Sequence, residues 1–261
     1  MKRKKSNKLI YLIIIIFVIA LVLYFLSIRS KYSSFKAIDK TKEINEVKKK
    51  GDTVVGWLRV EGTNIDLPII QDIDTINISD RDYDYAWIYS IPGNDSNHLN
   101  FASHNIRNVS RKPIVGDNTM TGFEQLMSFI YPKFTTNNQY VAYTDKYGKT
   151  SLYRIYAVSL TKHSQDVSYK NIYSDEEQKQ YIAQAKKESM YDMNVDVNYS
   201  DKLISLLTCT RFYGAGDSYT FKVDARKLRD DEKKELVKVE TNDNYVKIKN
   251  RMGEGENNEE V

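Results

Sequence analysis

The run Lys202-Leu203-Ile204-Ser205-Leu206-Leu207-Thr208-Cys209-Thr210-Arg211 carries the only cysteine of the chain. Its apolar centre, rich in Leu and Ile and bounded by polar residues, predicts a buried strand. Cys209 stands at the far end, where the pattern gives way to Gly214-Ala215-Gly216-Asp217, a loop signal. A second strand follows over Tyr219-Thr220-Phe221-Lys222-Val223-Asp224-Ala225-Arg226, alternating apolar and polar with period two. Residues two apart in a strand share a face, so Cys209 and Arg211 can reach one site. On the strand alone a lone cysteine is a small buried hydrophobe. A neighbouring guanidinium and an extracytoplasmic setting would instead make it a reactive thiol.

The setting is read from the N-terminus. Residues 9–28 are almost unbroken Leu, Ile, Val, Phe and Tyr, about the length that crosses a bilayer as a helix. Lys2, Arg3, Lys4, Lys5 and Lys8 precede them, which puts residues 1–8 in the cytoplasm and the remainder outside. No small-x-small cleavage site follows, so the stretch predicts an uncleaved anchor. Arg29, Lys31 and Lys36 after it are basic as well. One cysteine excludes an internal disulfide framework. No Cys/His cluster has zinc spacing and no phosphate-cradling Gly-rich loop is present, so neither metal nor cofactor is expected. The formal charge of +4 comes without a basic stripe carrying interleaved aromatics, which argues against nucleic acid.

The 261 residues leave room for one domain of roughly 150–200 residues beyond the anchor. An apolar fraction of 41 %, with 20 Tyr against 4 Pro, suits a β-rich globular core. Phe35, Ile38, Ile44 and Val47 predict a helix over 30–50, stopped by Gly51. Two short strands follow, Val54–Val60 and 65–70, around Glu61-Gly62-Thr63-Asn64. Turn-rich sequence covers 71–84, a strand 85–89, a turn Pro92-Gly93-Asn94-Asp95, and a strand 98–105. His98 and His104 lie on one face of that strand roughly 20 Å apart, too far to share a site. Alone, His104 is a surface histidine at a strand end, and His163 a loop residue.

A short helix is expected over 123–130, before Pro132. Strands 140–144 and 151–159 flank the hairpin turn Asp145-Lys146-Tyr147-Gly148. Ser174 with Glu177 makes a capping box that opens a helix to about residue 189. Residues 229–261, charged and nearly free of proline, are expected to be a solvated, partly helical tail. The order gives a mainly antiparallel β-barrel or sandwich with peripheral helices.

Three stretches resemble sortases. Ser205-Leu206-Leu207-Thr208-Cys209 is similar to their Thr-Leu-x-Thr-Cys signature, and Ser103-His104-Asn105 to their Gly-His-Asn. The run from Gly56 through Trp57, Leu58 and Glu61-Gly62-Thr63-Asn64 to Ile69 resembles the opening strands of class B. The likeness spans about residues 35–228, in order, behind the basic and apolar N-terminus. It implies a mainly β fold: a sortase-like eight-stranded barrel with an N-terminal helix and a late peripheral helix. It implies an extracellular catalytic domain over 29–228 of a single-pass enzyme in a Gram-positive cell membrane. The implied reaction is transpeptidation: Cys209 attacks a C-terminal sorting signal of a surface protein and forms a thioacyl enzyme. A cell-wall amine, or a pilin lysine in a polymerase, then takes the acyl group. His104 would shuttle the protons and an arginine would hold the oxyanion. The family has that arginine eight to ten residues after the cysteine, where Asp217, Ser218 and Tyr219 stand here. Arg226 lies on the order of 23 Å along the next strand. Arg211 is therefore expected to take the role, against the alternative of a surface pair with an acid such as Asp217. A membrane-tethered binding module without activity is the reading from another class.

Overall fold

The period-two alternation closes into a barrel. The computed structural model describes residues 4–49, 54–71, 85–88, 93, 95–105, 119, 121–162, 170–212 and 219–252. Its chain divides into two compact units, Met1–Ser34 with Lys233–Leu236, and Phe35–Glu232 with Val237–Val261. The first unit holds helix α1 (Lys4–Ser30), whose side chains from Ile10 to Tyr24 are exposed. A short antiparallel bridge joins Tyr32 to Glu235, where the amide of Ser33 donates to the Lys234 carbonyl (2.9 Å). Among the described residues no helix is long and apolar enough to cross a membrane. The anchor expected over 9–28 therefore gains no support from the fold.

In the second unit come α2 (Thr41–Lys48), β1 (Val54–Val60), β2 (Asp66–Ile70), β3 (Ala86–Ile88) and β4 (His98–Ala102). A 3₁₀ helix (Glu124–Ile130) and α3 (Pro132–Asn137) lead to β5 (Tyr140–Asp145) and β6 (Thr150–Lys162). Then follow α4 (Asp175–Glu188), β7 (Tyr191–Met193), β8 (Leu203–Thr210), β9 (Tyr219–Lys227), β10 (Val239–Thr241) and α5 (Asp243–Met252). Strand order around the closed barrel is β1-β2-β3-β4-β8-β9-β6-β5. Closure through the β1–β5 pair leaves no free edge among these eight strands. The barrel is mixed, because β2–β3 and β4–β8 run parallel. A parallel pair needs a long crossover, and the one from β4 to β8 includes α4.

The core packs Leu58, Ile69, Phe101, Ile155, Leu206 and Val223, all fully shielded from water. Helix α4 opens with the expected capping box: Ser174 accepts from the Glu177 amide, and Glu177 accepts from the Ser174 amide (2.8 Å). The β5–β6 hairpin turns at Gly148, whose φ of 89° suits only a residue without a Cβ.

Two expectations are corrected. The helix predicted over 30–50 is confined in this unit to Thr41–Lys48. The segment before it is held extended: the Lys36 carbonyl accepts from Arg59 Nη1 (3.0 Å), and the Arg59 guanidinium lies 5.0 Å from the Phe35 ring. The charged tail is structured as far as Met252: β10 pairs with β7, and Val237, Val239 and Tyr245 pack on the core. Of the other expectations, the turn-rich stretch 72–84, His163, the loop at 214–217 and the end of the tail, 253–261, lie outside the described residues. So does part of the turn at 92–95.

Candidate active site

Strands β4, β8 and β9 bring the sequence motifs together. The parallel register pairs Asn100 with Ser205, Phe101 with Leu206, and Ala102 with Leu207. It is extended past β4 by two bonds: Ser103 N donates to the Leu207 carbonyl (3.3 Å), and Thr208 Oγ1 donates to the Ser103 carbonyl (2.9 Å). His104 follows two residues after Ala102 and Cys209 two residues after Leu207, at the point where β4 has ended and β8 is about to. Neighbouring strands lie about 4.8 Å apart, so a continuation of this register would bring the two residues expected to do chemistry near each other.

Cys209 is a free, exposed thiol. It alternates onto the same face of β8 as Leu207 and Ser205, both buried. The protein around it still desolvates the sulfur enough to push the thiol pKa up. Half-buried His104 packs its ring 4.9 Å from that of Trp87, tilted by 60°. Burial pushes its pKa down. Both shifts favour the uncharged forms, a thiol and a neutral imidazole. Such an imidazole can accept the thiol proton when an electrophile arrives.

The backbone beside the histidine is tightly fitted. Phe123 N donates to the His104 carbonyl (2.9 Å), and Ser103 Oγ donates to the Tyr85 carbonyl (2.8 Å). Gly122, with φ of 54°, comes so close that a Cβ there would lie 2.7 Å from the His104 carbonyl oxygen. The Gly122 turn thus braces the segment that presents His104.

The arginines behave differently from one another. Arg211 is exposed and lies just past the end of β8, next to the cysteine strand. Arg226 is fully buried and committed elsewhere: it donates to the Asp196 carbonyl (2.8 Å) and makes a forked pair with the Glu232 carboxylate. It pairs with Leu203, at the opposite end of β8 from Cys209. The residue directly across from Cys209 is Thr220.

Sequence reasoning missed the polar layer behind the cysteine. Asp224 Oδ1 accepts from Ser205 Oγ (2.5 Å) and from the Tyr181 hydroxyl of α4 (2.7 Å). His98 Nε2 shares a hydrogen bond with Ser205 Oγ (2.7 Å). Lys222 Nζ lies 3.5 Å from Asp224 Oδ2 and 5.0 Å from the centre of the Tyr181 ring. The signal was present: Ser205 interrupts an apolar run, and Asp224 follows Val223 on a strand otherwise buried. Both demand buried partners. Among the described residues no group of His, Cys, Asp and Glu is placed to hold a metal ion.

No protein-family model matches the sequence. The chain is 25 % identical over 174 residues to sortase B of Staphylococcus aureus, covering 66 % of this chain and 69 % of that protein. The structure of sortase B from Clostridium perfringens superposes with a TM-score of 0.55 at 23 % identity, over 72 % of this chain and 99 % of that one. A Staphylococcus aureus sortase B–substrate complex superposes at 0.57 and 18 % identity, over 73 % and 85 %. Together the sequence likeness and the closed eight-stranded barrel make this chain a homologue of sortase B with the sortase fold.

Proposed function

We propose that the chain is a cysteine transpeptidase that cleaves a C-terminal sorting signal of surface proteins and transfers them to an amine of the cell wall. The single observation that supports this reading is the register of β4 on β8, which runs to Ala102 and Leu207, two residues before His104 and before the exposed thiol of Cys209. In the first step the sulfur attacks the scissile carbonyl while His104 takes the thiol proton. The tetrahedral intermediate then collapses to a thioacyl enzyme as His104 protonates the leaving amine. In the second step an incoming amine attacks the thioester and gives its proton to His104, and the thiol is regenerated. Arg211 is assigned to the substrate and the oxyanion, because it is exposed one residue beyond the strand of Cys209. We assign residues 1–8 to the cytoplasm, 9–28 to a membrane anchor and 29–228 to the catalytic domain outside.

The test uses the full chain with quenched-fluorescent sorting peptides of several motifs, and mass spectrometry for the adduct. Cleavage with an acyl adduct on Cys209, lost in Cys209→Ala and His104→Ala, is expected. Arg211→Ala should lower turnover at least tenfold while the protein stays folded. Turnover that survives Cys209→Ala would overturn the mechanism. Near-normal turnover of Arg211→Ala would remove that residue from the site.

Two observations favour a second reading. A threonine faces Cys209 across the ladder, and the thiol pKa is raised rather than lowered. Both suit a surface-protein binding module without turnover. A folded chain that binds sorting peptides yet forms no adduct would establish it. Within the transpeptidase reading, the wall amine and a pilin lysine are separated by supplying a wall-peptide mimic and a purified pilin in parallel.

A further inference from the structure

A cavity of about 470 Å³ opens at the end of the barrel away from Cys209. Lys202 and Leu203, at the start of β8, line it, and β8 puts about 20 Å between them and the thiol. Four lysines from three segments line it. Lys146 and Lys149 come from the β5–β6 turn, Lys202 from the approach to β8, and Lys227 from the end of β9. Lys227 and Lys202 emerge side by side, because the Lys227 amide donates to the Lys202 carbonyl (2.8 Å).

None of the four pairs with a carboxylate among the described residues. The single acid in the lining, Asp145, is spent on its own turn: Oδ1 accepts from the amides of Tyr147 (2.9 Å) and Lys149 (3.0 Å). Four lysines lining one concavity raise a positive potential that a bound anion would relieve. Behind them Tyr143 and Tyr153, both nearly buried, line the wall with Val55, Leu99 and Leu203, and Ser96, Asn97 and Ser151 add polar groups. A cation rim over an aromatic wall suits a ligand with a phosphate at one end and a short carbon or polyol part at the other. The volume admits one such unit.

We propose that this cavity is an anion site for a small phosphate-bearing polyol. Lys202, Lys227 and Lys149 hold the phosphate, and the tyrosine wall receives the polyol. The site is separate from the thiol and does not depend on the proposed reaction.

Calorimetric titration of the full chain in nonionic detergent with glycerol 3-phosphate and with inorganic phosphate tests it. Glycerol and sodium chloride at matched ionic strength serve as controls. Saturable binding of the two phosphates, tighter for glycerol 3-phosphate, is expected. Lys202→Gln/Lys227→Gln should weaken it at least tenfold, and Lys149→Gln alone severalfold, while Cys209→Ala binds unchanged. Vesicles with and without phosphatidylglycerol form a second arm. Binding confined to those vesicles, and sensitive to the same lysines, would assign the phosphate to a lipid headgroup. A heat signal matched by sodium chloride, or an affinity unaltered in the double and single lysine variants, would overturn the site.

Discussion

The two ends of the β4–β8–β9 sheet use polar residues in opposite ways. Under α4, Ser205, Asp224 and His98 are entirely shielded from water and bonded to one another or to Tyr181. Two residues beyond Leu207, on the same face of β8, Cys209 is exposed. There β4 has ended, and among the described residues the Ser103 amide, bonded to the Leu207 carbonyl, and Thr208 Oγ1, bonded to the Ser103 carbonyl, tie the two segments. In the first region the low dielectric strengthens each hydrogen bond and makes each unpaired group costly. In the second, exposure keeps a thiol within reach of a substrate. One sheet thus provides a rigid half that fixes register and an open half where chemistry can occur. Register is what connects them: a one-residue slip of β8 would remove Ser205 from Asp224 and Cys209 from His104 together.

Removing the thiol tests the open half most severely. Cys209→Ala should abolish acyl-adduct formation entirely while leaving the melting temperature within a degree or two, since an exposed side chain contributes little packing. A large stability loss would show that the two halves are not separate. The buried half is tested by Asp224→Ala, which removes the shared carboxylate partner of Ser205, Tyr181 and Lys222. Breaking a buried charged network of this kind costs about 3–5 kcal/mol. Urea titration should show that loss, and a change below about 1 kcal/mol would mean the layer is solvated.

His98 gives the same region a pH signature. Burial holds its pKa down to about 4 from the usual 6.5, against the opposing pull of Asp224. The unfolded chain therefore takes up a proton near pH 6.5 that the folded chain refuses until about pH 4. Stability is full above pH 6.5 and declines as pH falls toward 4, by on the order of 3 kcal/mol for a shift of this size. Melting curves between pH 7.5 and 4.5 should show the decline, and His98→Gln should flatten it. A slope that persists unchanged in His98→Gln would assign it to other groups.

The comparison also separates what the sequence made legible from what it did not. The capping box at Ser174 and the turn at Gly148 were readable because each is closed by residues within a few positions of itself. Cys209 and His104 were readable as motifs, but their adjacency rests on a parallel pairing between residues more than a hundred positions apart. Parallel pairing leaves no turn signature, so the two parallel pairs within the mainly antiparallel barrel could not be read from the sequence. The tail was misjudged for a related reason. Val237, Val239, Tyr245 and Ile248 are sparse among charges, and only the existing core gives them somewhere to pack. The helix expected at 30–50 was overextended because Phe35 and Ile38 keep helical spacing, although Arg59 holds the segment extended. Asp39 then marks the start of α2 by accepting from the Thr41 amide (2.8 Å).

The smallest expected effect falls at the join between the halves. Thr208 Oγ1 reaches the Ser103 carbonyl at 2.9 Å and is the last side-chain tie before His104 and Cys209. Thr208→Val keeps the shape and removes only that bond, so stability should fall by about 1 kcal/mol. The site should feel more than the fold does. Without the tie, the segment bearing His104 can drift from Cys209, and displacement of a proton-transfer partner by even a fraction of an ångström slows the step it serves. Thr208→Val should therefore lower the rate of acyl-adduct formation severalfold at unchanged peptide affinity, whereas Ser174→Ala, at the distant cap of α4, should cost about 1 kcal/mol of stability and leave that rate alone. Equal rate losses in the two variants would mean that general loosening, not the β4–β8 register, governs the chemistry.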